Sequence, residues 1–456
     1  MSGYGIDGDR TAEWVAWAHQ EYNITSWSVQ GGAPPMVVKG AQGSWFWDDN
    51  GKRYLDFQSQ LVNLNLGHQH PDIVEAIKRQ ADTLCYIGPS MANDARSELA
   101  ALVAEVTPGD LHSTFFTTGG AAAVENAVRL ARHVTGRQKV LARYRSYHGA
   151  TTGALTVTGE PRRWLTEPAA MPGMVRMLDP YCYRCPMGHQ GGCGVCSTMS
   201  HVEELLMYEN PETVAAIIVE PITGTNGIIV PPDGYLRGLR DICDRYGIVL
   251  IFDEVMSGFG RTGKWFACDH WDVVPDILCV AKGLNSGYVP LGGMVVRQHL
   301  ADWMKKNSFP GGLTYSGHPL ACASGVAAIR ACLRDGVVEN AAERGAQMAE
   351  RLQLMADKYE VIGEARGKGL FWGVELVTDR TTRKPYVPFN AKGPANQPMA
   401  KLMSHAMQNG LYLSSFSNII RLAPPLVITE DEMDQACDIF EGVMQLADSI
   451  VRESAS

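Results

Sequence analysis

Lys282 lies in ILCVAKGLNSGYVPLGG, where a β-rich apolar run gives way to a Gly-rich turn. A lysine that emerges from a strand end into a pocket is desolvated, loses its proton readily and can attack an aldehyde. Asp253 ends a second apolar run, in VLIFDEVMSGFGRTG. Burial of its carboxylate demands a cationic partner, and a protonated pyridine nitrogen is one. From Thr117, TTGGAAAVENAVRLARHV is a glycine turn running into a helix, whose first backbone N–H groups suit a phosphate. Tyr147, in RYRSYHGATTGAL, follows another strand end and could lie over a planar ring. Taken singly, each has an ordinary role: a solvated loop lysine, a capping aspartate, a glycine before a helix, a packed tyrosine. Together they supply the parts of a pyridine-aldehyde site: an amine, a ring-nitrogen carboxylate, a phosphate cradle and an aromatic lid.

The elements that must position these residues read as α/β. From about Pro71 to Arg334, helical patterns alternate with short β-branched runs such as Ala215 to Val219 and Ile248 to Phe252, which predicts a mostly parallel sheet with helices on both faces. Such sheets bind ligands at the carboxyl ends of their strands, where Glu220 and Asp253 stand. SWFWDDNGKRYLDF, from Ser44, reads as a hairpin turning at Asp49, Asn50 and Gly51. After Gly336, a long helix from Val338 to Lys358, a strand in GLFWGVEL and a final helix past Thr429 predict a second, α+β lobe. Lys384 to Pro398, rich in Pro and Asn, reads as a surface loop. The expected division is 1–70 as an N-terminal segment contributing to the small domain, 71–335 as the large domain and 336–456 as the C-terminal small domain. A chain of 456 residues exceeds one hydrophobic core, in keeping with that division.

Composition narrows the function classes. With 45% hydrophobic and 20% charged residues the chain is expected to fold throughout. A formal net charge of −9, with no run of Lys and Arg among aromatics, argues against DNA or RNA as partner. The N-terminal stretch to Asn23 mixes charges with Trp14 and Trp17 and has no signal-peptide core, and no apolar run approaches a membrane span. Eleven cysteines, an odd number scattered along the chain, fit a reduced compartment, so a cytoplasmic protein is expected. Four of them cluster in YCYRCPMGHQGGCGVC. Cys182, Cys185, Cys193 and Cys196 form two CxxC pairs whose spacing fits structural zinc or an iron–sulfur cluster, and equally fits reduced thiols or a labile disulfide.

Across nearly its whole length the chain resembles the class III pyridoxal-phosphate aminotransferases, the ω-aminotransferase group. The resemblance rests on YHG at Tyr147, VEP at Glu220, IFDEV at Ile251, GFGRTG at Gly258, AKGL at Ala281, TYSGHPLACA at Thr314 and IIRLAPPLVIT at Ile419, in the family's order. It implies the fold type I architecture, with a large domain on a seven-stranded-type sheet and a smaller α+β domain. It also implies that Lys282 forms the Schiff base with pyridoxal 5′-phosphate, that Asp253 pairs with the ring nitrogen, and that Val255 packs against the ring face opposite Tyr147. Gly120 and Ala121 would offer N–H groups to the phosphate, with His148 and Glu220 beside the cofactor. A homodimer, or a dimer of dimers, is implied, with Thr314 reaching the neighbouring subunit's phosphate. The phosphate turn departs from the family's usual Ser-Gly-Ser-Glu and reads Gly119, Gly120, Ala121, Ala122; losing a hydroxyl donor there predicts weaker cofactor retention.

For substrates, Arg421 matches the family arginine that grips a carboxylate, and its planar guanidinium suits bidentate recognition. Relatives that use glutamate carry a Glu in the loop after VEPI to neutralise this arginine; here the loop reads TGTNG, with Thr225 in that place. Pyruvate is therefore the expected acceptor. The donor is expected to carry its amine on a terminal carbon, as in taurine, β-alanine, 4-aminobutyrate or a primary amine, against a wall of Leu61, Val62 and Tyr86. The same motifs serve an ornithine or 4-aminobutyrate–2-oxoglutarate aminotransferase or an aminomutase. A cofactor-bound regulator on this fold would carry a DNA-binding segment, which the N-terminus lacks.

Overall fold

The computed structural model describes residues 10–165, 167–188 and 195–455. Its central element is a seven-stranded sheet in the order β4-β10-β9-β8-β7-β5-β6. Before it come β1 (Val38–Gln42), β2 (Trp45–Asp48) and β3 (Arg53–Asp56). The sheet itself comprises β4 (Leu111–Thr117), β5 (Lys139–Arg143), β6 (Met174–Met177), β7 (Val214–Val219), β8 (Val249–Asp253), β9 (Ile277–Ala281) and β10 (Gly292–Arg297). β5 to β9 pair in parallel, while β10 runs antiparallel between β4 and β9. Every residue of β7, β8 and β9 is buried, as strands covered on both faces must be.

The covering helices are cut to length by residues that stop a helix cheaply. Helix Gly120–Thr135 ends at Gly136 and helix Tyr235–Tyr246 at Gly247, both glycines left-handed at φ 67° and 62°. Helix Asp94–Val106 starts where the Asn93 side chain accepts from the Arg96 N–H.

The hairpin expected from Ser44 onward is β2 paired with β3, and it widens into a four-stranded sheet by adding β1 and a late strand, β14 (Leu411–Tyr412), parallel to β3. In the C-terminal region β11 (Ile362–Lys368), β12 (Phe371–Asp379), β15 (Ser414–Phe416) and β16 (Ile419–Leu422) form a sheet that also takes in the short β13 (Lys384–Pro385). Helices Val337–Lys358, Gln397–Gln408 and Glu430–Ala455 pack one apolar core against it. The stretch 384–398 is mostly exposed, as a surface loop should be, and is anchored at its start: Lys384 and Pro385 pair with β12, and Tyr386 and Val387 enter that core. Among the described residues no helix is long and apolar enough to cross a membrane.

Candidate active site

The carboxyl ends of four adjacent parallel strands converge. Lys282 follows β9, Asp253 ends β8, Glu220 follows β7 and Tyr147 lies four residues beyond β5. β7 and β9 are apolar throughout and β8 is apolar up to Asp253, so the first polar residue each offers is delivered to the cleft, whereas Tyr147 comes from the loop after β5.

Lys282 adopts φ 48°, a left-handed conformation that costs a non-glycine residue energy and turns the chain sharply out of the strand. Desolvation lowers its ammonium pKa from 10.5 to about 8, helped by the Arg421 and Arg162 guanidiniums and opposed by Asp253 and Glu220. About a tenth of it is therefore free amine at pH 7, far more than for a solvated lysine.

Asp253 is only 4% exposed. Its Oδ1 accepts from the Val255 N–H at 3.0 Å and its Oδ2 lies 2.7 Å from His148 Nδ1. A carboxylate only accepts, so that bond assigns the proton to Nδ1. His148 is buried too, its backbone N–H bonded to Thr158 Oγ1 at 2.8 Å. Glu220 accepts from the Tyr147 N–H at 3.1 Å and the Gly224 N–H at 2.7 Å, tying two cleft loops together. Burial raises its pKa, the neighbouring Asp253 adds to this, and His148 opposes it.

Gly120 opens its helix directly against Val255: a Cβ there would come within 2.9 Å of the valine side chain. The first N–H groups of that helix have no intrahelical partner. A helix start free to bind phosphate, a valine beside it, a buried carboxylate and a half-buried low-pKa lysine fit a phosphorylated pyridine aldehyde. Ala121 brings no hydroxyl, so only backbone N–H groups would be on offer to a phosphate there.

Arg421 projects from β16, its Nη2 donating to Ser414 Oγ at 2.8 Å, while its buried Nε has no hydrogen-bond partner among the described residues. Desolvation and the charge on Arg162 lower its pKa to about 10, which leaves it charged at neutrality. Thr225 Oγ1 faces Met256 Sδ at 3.7 Å, and no carboxylate among the described residues forms an ion pair with Arg421.

A family model, Aminotransferase class-III, matches residues 27–444. The chain belongs to the class III aminotransferases. It is 36% identical to an acetylornithine aminotransferase of Methanopyrus kandleri over 91% of this chain and 94% of that one. It is 32% identical to a putrescine–pyruvate aminotransferase of Pseudomonas aeruginosa over 94% and 95%. The solved taurine:2-oxoglutarate aminotransferase of Bifidobacterium kashiwanohense, in complex with pyridoxal phosphate and glutamate, superposes with a TM-score of 0.93 at 42% identity, covering 97% of this chain and 99% of that one. This aminotransferase uses pyridoxal 5′-phosphate, and its fold is that of the fold type I transaminases.

Leu61, Val62 and Tyr86, the expected donor wall, differ in setting. Tyr86 is on the surface, its hydroxyl donating to the Thr314 carbonyl at 2.8 Å. Val62 is buried among Ile222, Ile228 and Ala423, and Leu61 is 75% exposed. Among the described residues no group of three or more His, Cys, Asp or Glu could hold a metal ion. Of the cysteine cluster, Cys193 and the Cys196 side chain lie outside the described residues, while Cys182 and Cys185 are half-buried. The neighbouring Tyr181 and Arg184 both bond Glu375 of β12.

One site residue escaped the motif reading. Arg162 stacks over the Tyr147 ring at 4.0 Å and the Trp27 ring at 5.1 Å, and ion-pairs with buried Glu160. Its only signal in the sequence is two adjacent arginines beside a tryptophan in GEPRRW.

Proposed function

We propose that this aminotransferase moves the terminal amino group of a short ω-amino acid, with a carboxylate or sulfonate at its far end, to pyruvate. The observation that carries this reading is a pair of guanidiniums, Arg421, which has no carboxylate ion-pair partner among the described residues, and Arg162, stacked on the Tyr147 ring, both of which lower the Lys282 pKa. Two cations at one cleft favour a substrate whose charge is negative at the end away from the reacting carbon.

Pyridoxal phosphate, when bound, supplies an aldehyde and an electron-accepting ring. Asp253, held by His148 and the Val255 N–H, is the carboxylate that would pair with the ring nitrogen. Lys282, as an amine with a pKa near 8, is the base that would take the proton from the donor's amino-bearing carbon and hold it for return. Tyr147 and Val255 are the residues that would hold the ring on its two faces. Arg421 orients the keto acid by its carboxylate. The Ser414 hydroxyl is its hydrogen-bond partner, which supports a small keto acid whose carboxylate meets an uncompensated charge. The reading includes a homodimer, supported by a surface on which Tyr86, Thr314, Tyr315 and Met91 lie exposed.

A second reading takes 2-oxoglutarate as acceptor. Arg162 favours it, because a second cation could receive the distal carboxylate of a dicarboxylic keto acid. Initial rates with β-alanine, taurine, 4-aminobutyrate and a simple primary amine, each against pyruvate and 2-oxoglutarate, test both. The expected optimum pairs an anionic-ended donor with pyruvate. Equal rates with the uncharged amine overturn the donor class, and a strong preference for 2-oxoglutarate replaces the acceptor.

A further inference from the structure

Between β3 and the first large helix the chain makes a turn in which Ser59, Gln60 and Val62 all take left-handed backbone, at φ 46°, 56° and 58°. None is glycine or asparagine, and Val62 is β-branched, so the conformation persists only if its surroundings impose it. They do so from one side chain in particular. The Asp56 carboxylate, fully buried, accepts from the Gln58 N–H at 3.3 Å, the Gln60 N–H at 3.1 Å and Gln60 Nε2 at 2.9 Å, and lies 3.0 Å from His68 Nε2.

The turn touches both halves of the site. On one side Ser59 Oγ donates to the Ala423 carbonyl at 2.7 Å, and the Ala423 N–H donates to the Phe57 carbonyl at 2.9 Å, two residues past Arg421. On the other, the Leu66 N–H donates to Ser286 Oγ at 2.9 Å, and a Cβ on Gly283 would collide with the Asn65 amide. Gly283 and Ser286 belong to the turn that carries Lys282. Residues 56–66 therefore form a brace running from the strand of the carboxylate grip to the turn of the reactive amine. Buried Arg261 locks the middle, donating to Ser59 Oγ at 3.1 Å and Asn65 Oδ1 at 2.9 Å.

We infer that Asp56 is a positioning residue that sets the separation of Arg421 from Lys282, through the left-handed turn it holds, and so determines how well carboxylate-bearing substrates are gripped. It touches neither substrate nor cofactor. The inference rests on the reading of Arg421 as the carboxylate grip.

The test is the half-reaction of the yellow cofactor-loaded enzyme with a single donor, followed by bleaching and without a keto acid. Alanine carries a carboxylate for Arg421, and a simple primary amine carries none. In Asp56→Asn the apparent Kd for alanine is expected to rise by about tenfold or more, while the primary amine's bleaching rate and Kd stay within about twofold of the parent. Glycine takes left-handed backbone without strain, so the double variant Asp56→Asn with Gln60→Gly is expected to recover most of the alanine affinity. Melting temperature and cofactor stoichiometry are recorded for each variant. Should Asp56→Asn fail to fold, Gln60→Ala, at a partly exposed position, removes one of the carboxylate's bonds and is read by the same ratio, with a shift of about threefold expected.

An equal loss with both donors, no loss with either, or a selective loss that glycine leaves uncorrected overturns the inference. Arg421→Lys is measured alongside. If it leaves the alanine Kd unchanged, the reading of Arg421 falls; if it raises that Kd while Asp56→Asn does not, only the role of Asp56 falls.

Discussion

His148 Nδ1 lies 2.7 Å from Asp253 Oδ2, and both side chains are closed off from water. With the Val255 N–H on the other oxygen, the carboxylate is held at two points and its plane is set before any ligand arrives. A charge so fixed needs no reorganisation during reaction, which is the condition under which one charge accelerates most. Asp253→Asn keeps the shape and drops the charge. Its kcat is expected to fall about 10²-fold or more, with pyridoxal phosphate still bound. Steady-state rates beside the cofactor's absorbance spectrum check this; a fall under tenfold would remove Asp253 from the chemistry.

The depressed pKa of Lys282 has a consequence for stability as well as for reaction. In the cofactor-free protein the folded state releases this proton near pH 8, while the unfolded chain keeps it until about 10.5. Between those values the unfolded chain binds the extra proton, so stability rises with pH across that window and the penalty of burying the charge is felt in full below it. Denaturant melts of cofactor-free parent and Lys282→Met at pH 7 to 10.5 are expected to converge as pH rises, with the variant the more stable at pH 7. Cofactor uptake by the parent is expected to quicken through about pH 8, where the free amine becomes dominant.

At the proposed phosphate turn, backbone N–H groups would work without the hydroxyl that an Ala121→Ser change adds. One hydrogen bond to a charged group is worth about 1.5 to 3 kcal/mol, so that variant is expected to bind pyridoxal phosphate about tenfold more tightly or better. The parent should lose cofactor on dialysis and gain melting temperature when excess is added, by mass action. Calorimetric titration of both proteins checks the difference. Equal affinities would mean that the helix N–H groups already satisfy the phosphate.

What the sequence discloses of this site follows from where the information is stored. Asp253 and Lys282 are legible because an apolar run of strand length ends on each, and a strand buried on both faces delivers its next polar residue to the sheet's edge. Glu220 is legible for the same reason. The antiparallel placement of β10 is not, because GGMVVR has the composition of any buried strand and direction is decided by the connections around it. Arg162 owes its place to Trp27 and Tyr147, contacts made across 135 and 15 residues of chain, which no local period encodes. The Ser59–Val62 turn is silent too: its left-handed residues are types that ordinarily avoid that region, and the carboxylate that compels them, Asp56, looks like the polar end of an ordinary strand.

Arg162 and Glu160 give the sharpest test of the donor. Glu160 is almost fully buried, and burial raises its pKa against the pull of Arg162, so the pair is a carboxylate and a guanidinium each short of solvent. An anionic substrate end competes with Glu160 for the same guanidinium. Removing the cation and removing its competitor should therefore act in opposite directions. Arg162→Gln is expected to raise KM for donors with a far-end carboxylate or sulfonate by about tenfold, equivalent to about 1.4 kcal/mol, and to leave a simple primary amine unaffected. Glu160→Gln keeps the side chain's shape, frees the guanidinium and is expected to lower KM for the same anionic donors, by less than that because the pair is partly open to solvent. Raising ionic strength should erode the Glu160→Gln gain as the freed cation is screened. If both variants raise KM for every donor alike, the ion pair shapes the cleft and does not read the substrate's charge.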